Sequence, residues 1–133
     1  MSATSTRTSG VATTAGALLA ISVLVNLTLF GIGSLLGAAF TVDNAGTMMS
    51  AGVLEVTAAS IIPLSVAIVT YVLLAARVEF VRRAWTPVIA VFTLASLGGL
   101  LGASDLTTGI VLGMMHLVVG GLAAFGIPAR MGR

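Results

Sequence analysis

The sequence predicts an all-α integral membrane protein, an up-and-down bundle of four transmembrane helices with both termini in the cytoplasm. Three observations support this prediction. Hydrophobic residues make up 58% of the 133 residues and charged residues only 8%, whereas soluble proteins carry roughly 25% charged residues. Four apolar runs follow one another along the chain. All six basic residues are arginines, and they lie in the segments that such a threading places on one side of the membrane.

The apolar runs cover residues 14–39, 51–76, 86–103 and 107–127. At about 1.5 Å rise per residue, each is long enough to cross a hydrocarbon layer of about 30 Å. A β-barrel is rejected because the runs lack the alternation of apolar and polar residues that barrel strands show. Lipid offers no water to unpaired amides, so the runs are predicted to be helices.

The first run follows a polar tail, residues 1–13, and is too long for the core of a cleaved signal peptide. We therefore expect an uncleaved anchor with a cytoplasmic tail. The loop after it, 41–50, has ordinary turn residues. The second helix carries Pro63 near its middle, which removes one backbone hydrogen bond and predicts a kink.

The segment between the second and third helices, ARVEFVRRAW, is amphipathic and ends at Trp85, an expected interfacial anchor. Thr86 and Pro87 are typical of a helix start, with a capping residue followed by proline at the first helical position.

The fourth helix is predicted to begin after a cap at Ser104 or Asp105. Pro128 marks its expected end, which leaves 129–133 as a short basic tail. The domain organisation is then a single four-helix domain, 14–128, between two cytoplasmic tails.

The arginines determine the predicted orientation. They lie before the first run, between the second and third runs, and after the fourth: Arg7, Arg77, Arg82, Arg83, Arg130 and Arg133. The positive-inside rule then places both termini and the middle loop in the cytoplasm, and the protein in the cell membrane as a multi-pass protein. This topology signal explains the sequence pI of about 10.6 better than a binding patch does, so no nucleic-acid partner is expected.

Few polar side chains lie within or beside the runs, and these form the candidate site: Asn26, Glu55, His116, Asp105 and Asp43. Asn26 and His116 both lie near the bilayer midplane, so we predict a hydrogen bond between them, direct or through water. One functional interpretation joins the set into an outward-facing polar seam that binds or conducts a proton, a cation or a small amphipathic molecule. The alternative makes Asp43 and Asp105 turn and cap residues and His116 a packing residue.

Small residues recur at helical spacing and predict close approach of neighbouring helices. In the second helix the predicted packing stripe includes Glu55, Ala58 and Ala59. The glycines concerned are Gly33, Gly37, Gly98, Gly102, Gly109, Gly113 and Gly120. These faces support a second functional hypothesis, an accessory or structural subunit that packs against itself as a homo-oligomer or within a larger membrane complex, with the lipid bilayer around it.

Composition excludes several chemistries. Cysteine is absent, which rules out disulfides, thiolate metal sites and cysteine nucleophiles. One histidine with scattered carboxylates falls short of a zinc site, although a homodimer could double it, and falls short of a haem site as well. No phosphate loop, nucleophile elbow or H-E-x-x-H motif is present. We therefore expect no metal, no cofactor and no enzymatic activity.

Two segments, VLVNLTLFGIGSLLGAAF in the first helix and LTTGIVLGMMHLVVGGLAA in the fourth, resemble a family of small actinobacterial four-helix membrane proteins of unknown function. The similarity is carried by Asn26, by the glycines after it and by residues 115–117. The family's pattern has a proline near the outer end of the third helix, where this chain has residues 96–99. The resemblance implies the same four-span fold and no particular activity.

Overall fold

The computed structural model describes residues 3–75 and 77–131, with side chains from residue 10 onward. Four helices are long and apolar enough to cross a membrane. They are the spans Gly10–Leu35, Val53–Ala75, Glu79–Gly102 and Leu106–Met131, and an 18-residue window within each has a mean hydropathy of 2.2, 2.2, 1.7 and 2.1, respectively. The predicted four-helix membrane fold is confirmed.

The helices are α1 (Ala3–Leu35), α2 (Val53–Thr70), α3 (Glu79–Ser96), α4 (Leu106–Gly121) and the short α5 (Ile127–Met131). A π turn, Tyr71–Ala75, extends α2, and a second π turn, Leu122–Gly126, joins α4 to α5. A 3₁₀ segment, Leu97–Gly102, extends α3. The two strands of a hairpin, β1 (Thr41–Asn44) and β2 (Thr47–Ser50), lie between α1 and α2.

The first helix begins and ends earlier than predicted. It includes most of the segment expected to be a tail, and it ends at Leu35 instead of residue 39. Gly37 adopts a left-handed conformation with φ 84°, and the amide of Ala38 donates to the carbonyl of Gly33 at 2.9 Å. These are the marks of a Schellman C-cap, in which glycine is favoured because it has no Cβ to clash.

The loop expected to hold ordinary turns folds into an antiparallel hairpin. Its two central residues, Ala45 and Gly46, have φ values of 53° and 86°, the positive angles of a type I′ turn, which matches the twist of the strands. The outer edge of β1 meets the α3–α4 connection, where the amide of Ser104 donates to the carbonyl of Thr41 at 2.9 Å. The hairpin and this connection therefore share one end of the bundle, the hairpin end.

The third helix begins at Glu79, so the predicted start at Thr86-Pro87 is wrong. The amphipathic segment forms its first two turns, in which Glu79 makes ion pairs with Arg82 at 2.6 Å and Arg83 at 2.9 Å. Trp85 is buried in the protein, with 6% of its surface exposed, so it is not the expected interfacial anchor. The opposite end of the bundle, which holds Arg77 and Arg130 as well, is called the arginine end.

Helix packing is uneven around the bundle. α1 packs along α2 and α4, and α3 packs along α4, but α3 meets the second helix chiefly at the π turn Tyr71–Ala75. The rings of Tyr71 and Trp85 form an edge-to-face pair there, with centroids 5.0 Å apart. Of the 18 residues of α3, only Trp85 is buried. The second and third helices are thus held together at the arginine end and separate toward the hairpin end.

Two apolar clusters form the core. The one nearer the arginine end is built from Leu18, Leu64, Ile68, Tyr71, Ala75, Trp85, Ala123 and Ile127. The one nearer the hairpin end is built from Phe40, Val56, Val111 and Met115. A small polar layer lies between them along the helices.

Candidate functional site

The polar layer joins α1 and α2. Asn26, which is 2% exposed, donates from Nδ2 to the hydroxyl of Ser60 at 2.8 Å, and Ser60 donates to the carbonyl of Val56 at 2.7 Å. The hydroxyl of Ser22 lies 3.4 Å from the carbonyl of Ser60. Asn26 Oδ1 is buried without a hydrogen-bond partner. The predicted direct bond from Asn26 to His116 is therefore wrong, because the hydroxyl of Ser60 accepts from the Asn26 amide instead.

His116 is partly buried on α4, and its Nδ1 lies 2.8 Å from the carbonyl of Leu112. A carbonyl only accepts, so Nδ1 carries the proton of that bond and Nε2 presents a lone pair when the ring is neutral. Among the side chains that the structure describes, Nε2 has no partner. The ring lies ten residues into α4, about 15 Å from the hairpin end of the helix at about 1.5 Å per residue.

Neighbours of His116 on α4 define what it faces. Gly113 and Gly120, three residues before and four residues after it, lie on the α3 side, against Leu100 and Thr93. Met115 belongs to the core cluster that includes Val56 of α2. Helical spacing then directs His116 between α2 and α3, toward the region where these helices separate.

The carboxylates of the three acidic residues at the hairpin end accept hydrogen bonds from backbone amides nearby in the sequence. Asp43 Oδ1 accepts from the amide of Gly46 at 2.7 Å, within the hairpin turn. Glu55 is exposed, and its carboxylate accepts from the amide of Gly52 at 2.9 Å, at the start of α2. Asp43 thus has the turn role of the alternative interpretation, whereas the local role of Glu55 at the start of α2 was not predicted. Neither carboxylate forms a hydrogen bond with His116 in the described part of the chain.

Asp105 caps α4, as one of the two predicted candidates. Its carboxylate accepts from the amide of Thr108 at 2.7 Å, from the Thr108 hydroxyl at 2.6 Å and from the amide of Ala39 at 3.2 Å. The hydroxyl of Ser104 adds a bond at 3.2 Å. These donors, Thr108 first, lower the pKa of Asp105 to about 2. Asp105 is therefore ionised at neutral pH, and its hydrogen bonds connect the segment after α1 to the start of α4.

The predicted glycine faces divide into two groups. Gly120 lies against Thr93, Gly102 against the carbonyl of Asp43, and a Cβ at Gly33 would lie 2.7 Å from the Phe40 ring. Gly109 and Gly113 likewise face Ala103 and Leu100 at ordinary or slightly tight contact, 3.6 and 3.3 Å from a Cβ. Gly37 instead forms the α1 cap, and Gly98 is open, at the edge of a shallow cleft beside the hairpin.

The predicted stripe on the second helix is wrong. Glu55, Ala58 and Ala59 are exposed, and the buried face consists of Val56, Ser60, Leu64 and Ile68. The predicted face was chosen only because it carries small residues. The buried face is instead the one on which Ser60 accepts the hydrogen bond from Asn26 of α1 at the same depth.

Two side chains of α3 donate hydrogen bonds to backbone carbonyls near the end of the fourth helix. Trp85 Nε1 donates to the carbonyl of Ala123 and Thr86 Oγ1 to that of Ala124, each at 2.9 Å. Both carbonyls lack their usual helical donors. The amide of Ile127 bonds to Leu122 in the π turn, and Pro128 has no amide hydrogen to offer. Pro128 therefore does not end the helix, which continues to Met131.

Sequence reasoning missed Ser60, Thr86 and Thr108 as polar contacts. The signal for Ser60 was its depth, seven residues into α2 and thus close to that of Asn26, nine residues before the end of α1. The signal for Thr86 was Pro128, because a proline in a membrane helix frees a carbonyl that a hydroxyl can satisfy. Within residues 3–75 and 77–131, no group of three histidine, cysteine or acidic side chains could hold a metal ion.

Comparison with known proteins adds the family. The model of a family of unknown function, DUF6069, matches residues 3–133. The chain belongs to DUF6069. No curated protein and no solved structure matches it. The resemblance to a family of unknown function is thus confirmed, and membership brings no activity with it.

Proposed function

We propose that this DUF6069 protein is a non-enzymatic membrane protein that binds a small amphipathic molecule in a cleft between α2 and α3. We assign to this α2–α3 cleft Ala59 and Pro63 of α2, Phe92 of α3 and His116 of α4, from their exposure and their helical spacing. The observation that supports it best is the free Nε2 of His116, partly buried at mid-depth. An ionisable group at this depth is costly unless it is paired or hydrated, so it is by default a candidate functional group.

The geometry of α3 supports the cleft. Trp85 touches Tyr71 at the arginine end, and Phe92 lies seven residues further along the same flank of α3. Phe92 is 76% exposed, because α2 is no longer against α3 at that level. On α2, Ile61 lines the groove formed with α1, whereas Ala59 and Pro63 lie on the other side of Ser60 and are exposed.

We favour binding over conduction of protons or cations. The apolar cluster of Phe40, Val56, Val111 and Met115 lies between the hairpin-end carboxylates and the mid-depth polar groups. Each of those carboxylates already accepts local hydrogen bonds. A guest is instead expected to enter sideways from the bilayer.

Photolabelling in lipid nanodiscs tests this proposal. A medium-chain alcohol that carries a diazirine should label residues around Phe92 and Pro63 saturably, and unlabelled alcohol should compete. His116→Leu should abolish the saturable component, whereas Leu117→Ala, a change at the neighbouring position, which is 51% exposed, should preserve it. Labelling that merely follows lipid exposure on all four helices would contradict the proposal.

A second candidate function is an accessory role in a homo-oligomer or a larger membrane complex. It is favoured by Gly98, Gly99 and the exposed Ala95, which give the outer part of α3 an open small-residue surface. Because the chain has no cysteine, Gly98→Cys can report contact between copies by disulfide formation in the bilayer. Gly31→Cys, at a similarly open glycine of α1, is the matched control. Equal cross-linking of both, together with a monomeric mass in mild detergent, would count against self-association.

For orientation we propose cytoplasmic termini in the cell membrane. Arg77, Arg82 and Arg83 lie at one end of the bundle, and Asp43 and Asp105 at the other, the arrangement that the positive-inside rule relates to a cytoplasmic arginine end. Single cysteines at Ala45 and Arg130 should react with a membrane-impermeant thiol reagent from opposite sides. Labelling of Arg130→Cys by this reagent in intact cells would show the opposite orientation and contradict the proposal.

A further inference from the structure

Three prolines lie within the helices, and each removes the amide hydrogen that would bond to the carbonyl four residues earlier. Pro128 frees the carbonyl of Ala124, Pro87 that of Arg83, and Pro63 that of Ala59. In lipid such a carbonyl needs another donor, because an unpaired backbone group in hydrocarbon costs several kcal/mol.

Two of these three carbonyls have a substitute hydrogen-bond donor within reach. The carbonyl of Ala124 accepts from the hydroxyl of Thr86 at 2.9 Å. Arg83 lies at the arginine end, and its side chain is 80% exposed, so water and headgroups reach its backbone. The chain therefore satisfies one freed carbonyl internally and leaves one at the membrane surface.

The carbonyl of Ala59 has neither a side-chain donor nor a position at the membrane surface. Ala59 lies six residues into α2, about 9 Å from its outer end at about 1.5 Å per residue. No side chain that the structure describes donates to it, and Ala59 is exposed on the flank that faces the α2–α3 cleft. His116, about 15 Å from the hairpin end of α4 by the same measure, is directed toward the same cleft by its helical spacing. Its Nε2 is a second acceptor without a partner among the described side chains.

We infer that the guest of the α2–α3 cleft is a neutral hydrogen-bond donor, a hydroxyl-bearing amphipathic molecule such as an alcohol or a phenol. The inference rests on the proposed function and specifies its ligand class. Two acceptors without a donor select a guest that brings an O–H or N–H group. An ammonium-bearing guest is disfavoured because none of the residues that define the cleft is acidic. The carboxylate of Glu55, on the same helix as Ala59, already accepts from the amide of Gly52. Phe92 supplies an apolar wall for the guest's hydrocarbon part.

The test uses the only histidine of the chain as its probe. Protein labelled with ¹⁵N-histidine, in nanodiscs, is titrated with 1-decanol and, separately, with the methyl ether of 1-decanol, which has no donor. Decanol should shift the Nε2 resonance saturably, and the ether should shift it much less. Pro63→Ala restores an amide hydrogen for the Ala59 carbonyl, so it should weaken decanol binding roughly threefold to tenfold, the value of one hydrogen bond.

Pro87→Ala is the matched control, since it repairs the carbonyl at the membrane surface and should leave decanol binding unchanged. Ether binding as strong as decanol binding, or a Pro63→Ala affinity equal to that of wild type, would overturn the inferred ligand class and leave the proposed function standing. Absence of any saturable shift with either compound would overturn both. A circular dichroism spectrum unchanged by Pro63→Ala ensures that a weakened signal reports the cleft and not a misfolded helix.

Discussion

Replacing Thr86 by valine should destabilise the bundle although the change preserves the shape of the side chain. Valine keeps the volume and removes the hydroxyl that donates to the carbonyl of Ala124 at 2.9 Å. That carbonyl has no other donor, because Pro128 follows it four residues later. The perturbation therefore leaves one orphaned acceptor in an apolar environment.

The expected loss is about 1–2 kcal/mol. An unsatisfied acceptor in a protein interior costs roughly 1–3 kcal/mol, and interhelical hydrogen bonds in bilayers measure about 0.6–1.7 kcal/mol. Trp85→Phe should cost at least as much, since it orphans the carbonyl of Ala123 and also reshapes the edge-to-face contact with Tyr71.

A double-mutant cycle with Pro128→Ala isolates the cause. Alanine at position 128 restores an amide hydrogen for the Ala124 carbonyl, so Thr86→Val should cost much less in that background. The assay is reversible unfolding in mixed micelles, followed by helical circular dichroism. An equal cost of Thr86→Val in both backgrounds would refute the reasoning, as would no cost in either.

Further predictions concern the polar layer, the glycine contacts and the cap. Ser60→Ala removes the acceptor of the buried Asn26 amide and should lower the free energy of unfolding by about 1–3 kcal/mol in the same unfolding assay. The control is Thr57→Val: the Thr57 hydroxyl bonds only within its own helix, so its loss should change the free energy of unfolding by less than about 0.5 kcal/mol. Gly120→Ala forces a methyl group into Thr93 and should cost about 1–3 kcal/mol, whereas Gly121→Ala, with nothing within 4 Å, should be neutral or stabilising. The lowered pKa of Asp105, about 2 against the usual 3.8 of an aspartate, means that its contribution to stability is complete above about pH 4 and lost as the pH falls toward 2. The thermal midpoint of wild type should therefore converge on that of Asp105→Asn over this range, and a constant difference would contradict the cap's role.

The sequence predicted the spans and the family because both depend on composition and on long apolar runs, which lipid allows to fold in few ways. It also identified Asp105 as a possible cap, since capping is a local interaction. The errors lie where one local signal competed with a distant partner. Pro128 signals a helix end, yet Trp85 and Thr86 supply the donors that let the helix continue.

The hairpin and the polar layer show the same limit. Ala45 takes a positive φ in a turn where asparagine or glycine is usual, so no sequence signal indicated strands. Asn26 and His116 were matched by depth alone, but depth does not determine which face of a helix a neighbour covers. The direction of His116 depends on glycines of α4 that α3 covers, and the exposure of Ala59 depends on how far α2 and α3 separate.

The most direct test of a cleft with free acceptors is the tautomer of His116. Solid-state NMR of ¹⁵N-histidine-labelled protein in lipid bilayers, at neutral pH and without added ligand, distinguishes the protonated from the unprotonated ring nitrogen. We expect the proton on Nδ1, bonded to Leu112, and an unprotonated Nε2 whose resonance responds to 1-decanol. A ring protonated at Nε2 with a bare Nδ1, or an Nε2 resonance indifferent to decanol, would contradict the proposed site.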